Sequence, residues 1–168
     1  MEALLDDLLA YSRVGRYDYA DTTVDTGALV NNIINLLARP ESFQITMQAA
    51  MPTLVTAQAP LELVLRNLIG NAIKHHNRSD GHVHITARSL GKFVEFGVAD
   101  DGPGIAPQFH TRIFQMFQTL KPRTQQEGSG IGLAVVKKTV ESRNGTIRVE
   151  SAEGEGATFY FTWPQSNG

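Results

Sequence analysis

Three side chains near the middle of the sequence, Asn67, Asn71 and Lys74, recur at helical spacing. Residues three and four apart share one face of a helix, so two amides and an ammonium line one edge of it. Amide carbonyl oxygens suit Mg²⁺ and an ammonium suits phosphate, although a solvated helix face has the same composition. A carboxylate is placed differently. Asp100 continues the period-two pattern of Val94, Phe96 and Val98, which aims it towards the apolar side of a strand. Burying a carboxylate is costly unless donors meet it, so Asp100 requires a partner such as an amine or a ligand amino group. Gly102 and Gly104 follow at once, and glycine lets backbone approach a ligand closely; a plain turn would also use them. Gly128, Gly130 and Gly132, interleaved with Ser129, Ile131 and Leu133, stand where a helix begins, an arrangement that offers free helical N–H groups to phosphate. The spacing matches neither a dinucleotide fingerprint nor a P-loop. His75 and His76 end a helix, His82 and His84 share a strand face, and His110 stands apart; solvated surface is the expectation for all five, ahead of a metal cluster.

The elements that must hold these groups are legible from periodicity. Leu4, Leu5, Leu8 and Leu9 form a narrow helical seam that fades by Gly15, while residues 17–26 are polar and read as linker. A second helix from about Thr26 carries Leu29, Val30, Ile33, Ile34 and Leu37 and stops before Pro40. Strands are expected at 43–47 and 54–56. A helix then runs over 61–75 behind Pro60, with positions 61, 64, 65, 68, 69 and 72 as its buried stripe. Strands at 83–88 and 93–99 flank a turn at 90–92. Residues 100–129 are irregular, with one short helix over 108–117, and so long a loop in a compact domain usually serves function. A helix over 130–143, stopped by Asn144 and Gly145, and strands at 146–151 and 157–162 complete the chain, with Gly154 and Gly156 read as turn residues.

Composition excludes several classes. With 168 residues, 42% hydrophobic and 19% charged, the chain is an ordinary globular domain large enough for a core of its own. It has no Cys, which removes thiolate metal sites and cysteine nucleophiles. Lys+Arg 15 against Asp+Glu 17 gives a net charge of −2, a poor match for nucleic acid. No apolar run approaches a membrane span, and the acidic start is unlike a signal peptide.

The order of these segments resembles the sensor histidine kinases, in their catalytic and ATP-binding domain. Residues 65–75 are similar to the N box, 100–105 to the G1 box, 113–117 to the F box, 128–133 to the G2 box, and Gly154 with Gly156 before Thr158 to the last glycine box. The resemblance covers about 25–164. It implies an α/β two-layer Bergerat sandwich, a mixed β-sheet packed on three main helices, with a long ATP lid and an N-terminal helix remnant. Residues 1–16 are similar to the end of a dimerisation and phosphoacceptor helix, leaving 17–168 as the catalytic domain. The implied activity is transfer of the γ-phosphate of Mg·ATP to a histidine, with Asn67, Asn71 and Lys74 as the catalytic set. Asp100 would accept from the adenine amino group, with Ile105 and Leu133 as apolar neighbours and Gly102, Gly104, Ile131 and Thr158 around the nucleotide. Asn71 and Asn67 would hold Mg²⁺, and Lys74 would meet phosphate. Gly128, Ser129, Gly130 and Gly132 would cover the triphosphate, Lys121 and Arg123 would reach the γ-phosphate, and Phe114 and Phe117 would anchor the lid.

Two departures are plain. No His lies in a helix ahead of an acidic residue, as the family's phosphoacceptor does, and His75 stands where the family often has an aromatic ring. The implied partners are a phosphoacceptor domain of the same, homodimeric parent and a response-regulator receiver domain, in the cytoplasm, with the parent either soluble or membrane-anchored. Two other readings stand beside this one: a related hydrolysing ATPase of the gyrase or chaperone type, and an inactive nucleotide-sensing module. The hydrolysing relatives place a Glu one turn before the Mg²⁺ Asn, where this chain has Asn67, an amide that cannot act as a base.

Overall fold

The alternation at 94, 96 and 98 builds a strand at the centre of the fold, and the remaining elements are arranged around it. The computed structural model describes residues 2–14, 19–115 and 131–165. In chain order the elements are α1 (Glu2–Arg13), β1 (Thr22–Asp25), α2 (Thr26–Leu36), β2 (Gln44–Met47), β3 (Thr53–Thr56), α3 (Gln58–Lys74), β4 (His82–Leu90), β5 (Phe93–Asp100), α4 (Gly132–Ser142), β6 (Ile147–Ser151) and β7 (Ala157–Pro164). A five-stranded sheet runs β2-β4-β5-β7-β6, parallel only between β2 and β4, and β1 pairs with β3 in a separate two-stranded ribbon. This is the mixed α/β layering that the sequence implies.

One face of the sheet is apolar. Val83, Ile85, Val94, Phe96, Val98, Phe159, Phe161 and Trp163 are buried there against Leu29, Val30 and Ile33 of α2, the stripe of α3, and Val136 and Val140 of α4. Every position named for the α3 stripe is buried. The other face carries charge: Glu95 is gripped between Arg88 at 3.0 Å and Arg148 at 3.5 Å, and Arg148 lies over the Tyr160 ring. Burial alternates without a break along β7, so each residue's register decides which of these two environments it meets. Trp163 is fully buried, and its indole N–H donates to the Thr56 hydroxyl at 2.8 Å, tying the ribbon to the sheet. Trp163→Ala is expected to cost about 3 to 5 kcal/mol in urea unfolding, through the cavity and the orphaned hydroxyl.

Three local readings change. Residues 17–26 contain β1, because Val24 buries itself and its strand finds hydrogen-bonding partners in β3, which a polar composition does not reveal. The described part of the helix expected over 108–117, up to Gln115, is instead two 3-10 turns, Pro107–Phe109 and Arg112–Phe114. The His110 ring bonds back to the Ile105 carbonyl at 2.9 Å and Gln115 turns extended, so neither turn grows to the length that i to i+4 bonding needs. The third change is at α3, which begins at Gln58, so Pro60 sits inside its first turn, where the missing N–H still costs nothing.

Candidate functional site

The carboxylate predicted to face inward does so. Asp100 ends β5 opposite Ala157, and its Oδ1 accepts the Gly102 N–H at 2.9 Å. Burial pushes its carboxyl above its ordinary value, and the Gly102 and Ala157 N–H groups offset that push only in part. The loop after Asp100 is stapled to the turn between β6 and β7. Ser151 Oγ accepts the Ile105 N–H at 2.7 Å and donates to the Gly156 carbonyl at 2.6 Å, while the Gly154 N–H reaches the Pro103 carbonyl.

Gly104 and Gly156 are more than turn residues. Both have positive φ, and a Cβ on either would run into backbone, the Ala152 carbonyl for Gly104 and the Asp100 carbonyl for Gly156. Gly154 shares the positive φ but faces open space. Gly154→Ala is therefore expected to cost about 1 to 2 kcal/mol for its left-handed backbone alone. Gly104→Ala should cost several times more in the same urea titration, because it forces the staple apart.

On α3 the first of the two amides is held in place. The Asn67 Nδ2 donates to the Leu63 carbonyl at 2.8 Å, which turns its Oδ1 outward, towards the first turn of α4. A Cβ on Gly132 would lie 3.2 Å from that oxygen, so glycine permits this approach. The N-cap of α4, Ile131, supplies no capping side chain, and the first-turn N–H groups have no side-chain acceptor among the described residues. Asn71, half-exposed one turn further along α3, makes no side-chain hydrogen bond among the described residues. Lys74 closes the helix, exposed. An amide pinned through its nitrogen and a second one turn on present hard oxygen donors on one helix edge, and these residues fit Mg²⁺. Among the described residues no group of three or more His, Asp or Glu could hold a metal by itself.

Ile105 and Leu133 both pack against the core, and Ile131 is fully buried. The Phe114 ring meets Phe159 edge-on at 6.0 Å. Thr158 requires correction. It pairs with Ala99, whereas Ala157 pairs with Asp100, and strand alternation therefore turns Thr158 to the opposite face of the sheet. Phe117, Lys121, Arg123, Gly128, Ser129 and Gly130 lie outside the described residues.

The expectation of solvated histidines fails at His76, and the His110 ring is also engaged, by the Ile105 carbonyl. His76 has a side chain only 1% exposed, and its Nε2 is 2.6 Å from Asp101 Oδ1. His82 and His84 keep to the open sheet face, where both rings bond the Thr46 hydroxyl at 2.7 Å. Nothing in the sequence distinguished His76 from its neighbour, nor marked Ser151, since both roles depend on strands far away in the chain.

A profile described as "Histidine kinase-, DNA gyrase B-, and HSP90-like ATPase" matches residues 56–167, a stretch that contains α3, the Asp100 loop and α4. The chain belongs to this family. Among relatives of this ATPase family, cyanobacterial phytochrome A of Nostoc sp. is 42% identical over 98% of the chain, and phytochrome-like protein Cph1 of Synechocystis sp. is 37% identical over 99%. The chain spans only 22% and 23% of those relatives. The solved structure of full-length ShkA in complex with AMPPNP has a TM-score of 0.85 and 31% identity, covering 98% of this chain and 36% of that one. The mycobacterial sensor histidine kinase MprB, at 24% identity and a TM-score of 0.74, shares the fold. No helix among the described residues is long and apolar enough to cross a membrane.

Proposed function

We propose that this chain is the catalytic and ATP-binding domain of a sensor histidine kinase, transferring the γ-phosphoryl group of Mg·ATP to a histidine on a helical dimerisation domain. The observation that carries this reading is the Asp100 carboxylate: partly desolvated, with one oxygen fixed by the Gly102 N–H. Such a group is oriented to accept from an exocyclic amine, the feature by which adenine differs from hypoxanthine. At the other end of the site, Asn71 and Asn67 offer oxygens for Mg²⁺, which would neutralise phosphate charge. Lys74 and the first-turn N–H groups of α4 add positive potential there. Ile105 and Leu133 supply apolar walls. The lid residues Lys121, Arg123 and 128–130 complete the triphosphate contacts in this reading.

Phosphoryl transfer needs positioning and charge neutralisation more than covalent chemistry from the enzyme. The bond from the γ-phosphorus to the β-bridging oxygen breaks, an imidazole nitrogen takes the phosphoryl group, and ADP leaves. Hydrolysis is disfavoured by Asn67, whose amide is committed to the Leu63 carbonyl and cannot deprotonate water. The relatives' names support the same assignment, since they include sensor histidine kinases such as ZraS of Escherichia coli. In the parent, residues 1–16 belong to the end of a dimerisation helix. Here α1 docks on α4, with Lys138 over the Tyr11 ring at 4.1 Å and bonded to the Tyr11 carbonyl. The onward partner is a response-regulator receiver domain.

Titration calorimetry with Mg·ATP tests the binding step. Micromolar to millimolar affinity with a matching rise in melting temperature is expected. Absence of heat and of any thermal shift at several millimolar Mg·ATP would leave an interaction module without nucleotide function.

A further inference from the structure

His76 and Asp101 have no part in the proposed transfer, yet they form a densely bonded polar group beside Asp100. His76 follows the C-cap of α3, and its ring is buried edge-on against Phe43 at 5.2 Å. Its Nδ1 accepts the Arg78 N–H at 3.0 Å, so that nitrogen carries no proton, and Nε2–H is left to donate to Asp101 Oδ1. The same carboxylate oxygen accepts the His82 N–H at 2.9 Å, and Oδ2 pairs with the Arg78 guanidinium at 2.8 Å. Against the upward push of burial, the His82 N–H, the His76 N–H and the Arg78 guanidinium hold the Asp101 carboxyl below its ordinary value. Two glycines make room for the ring: a Cβ on Gly81 would strike it, and one on Gly102 would sit 3.4 Å from its Cδ2. The ring thus lies beneath Gly102, whose N–H orients Asp100.

We propose that His76 and Asp101 form a positioning clasp that fixes residues 101 and 102 relative to α3, and so sets the direction of the Asp100 carboxylate and the preference for an adenine amine. This rests on the adenine reading of Asp100. A ring that only filled space would need neither the donor at Nε2 nor the acceptor at Nδ1. Both are used here, and each ties the ring to a backbone segment or side chain of the site's floor. Asp101 joins three elements at one carboxylate: the end of α3 through His76, the segment after it through Arg78, and the start of β4 through the His82 N–H.

The test compares ATP with inosine triphosphate, which lacks the exocyclic amine, by NMR titration with Mg²⁺ at a temperature where every variant is folded. His76→Phe keeps the buried ring but cannot donate, and it should weaken ATP binding roughly three- to tenfold while leaving inosine triphosphate unchanged. His76→Gln, whose amide can replace Nε2–H, should recover most of the loss. Equal weakening of both nucleotides, no weakening, or no recovery in the Gln variant would overturn the clasp. A measurement without substitution covers the case in which His76→Phe fails to fold. Long-range ¹⁵N–¹H spectra of the unmodified protein should show His76 as the neutral Nε2–H tautomer, and an Nδ1–H tautomer would refute the arrangement. Asp100→Asn run alongside separates the two ideas, because unaltered ATP binding there rejects the adenine reading itself, whatever His76 does.

Discussion

Asp100→Asn is expected to bind Mg·ATP roughly ten- to a hundredfold more weakly than the parent while melting at the same or a higher temperature. The loss follows from one hydrogen bond to a charged acceptor, about 1.5 to 3 kcal/mol, which an amide of the same shape does not restore. The stability gain has a different origin. Burial raises the carboxyl's pKa, so the folded state favours its neutral form. Stability from this group is therefore full below the unfolded value of about 3.9 and is lost as pH rises through the higher folded value. At neutral pH the parent bears that cost and the Asn variant does not. The Gly102 N–H still finds an acceptor in the Asn oxygen. Calorimetric melts against pH, paired with nucleotide titrations, check both halves: the difference in melting temperature should shrink towards pH 4. A variant that binds ATP like the parent, or that unfolds, would remove Asp100 from the adenine site.

Transfer and hydrolysis separate in a second experiment of comparable size. Alone, the chain should bind ATP, turn it over very slowly and label none of its own histidines, because Asn67 is no base and none of the five His is a helical phosphoacceptor. Mixed with a separately made dimeric helical domain of the parent protein, it should place an acid-labile phosphoryl group on that domain's histidine. Asn71→Ala should reduce this transfer by roughly a hundredfold or more, since Mg²⁺ demands near-octahedral oxygen coordination and the loss falls where charge develops. Radiolabelled ATP with gel detection reads both quantities. Fast hydrolysis by the isolated chain, dependent on Asn71 and needing no acceptor, would instead place it with the hydrolysing branch of the family.

The sequence by itself determined the helices and strands that bury a repeating stripe, and hence the faces on which the named residues stand. The α3 stripe and the inward aim of Asp100 were legible because period 3.6 and period 2 are local properties, set by backbone geometry within one element. The amide pair was legible for the same reason. Tertiary structure decided whatever depends on a partner distant in the chain. The ribbon strand β1 exists because β3 pairs with it, and Thr158 leaves the site because register opposite Ala99 puts it on the charged face. His76 and His75 are adjacent and identical in type, yet it is the His76 ring that meets Asp101, twenty-five residues away, with its side chain 1% exposed. Gly104 and Gly156 look like ordinary turn glycines until the Asp100 loop and the β6–β7 turn are brought together and leave no space for a Cβ. Such positions carry no periodic signal, because their constraint is a single contact between two segments and not a pattern repeated along one.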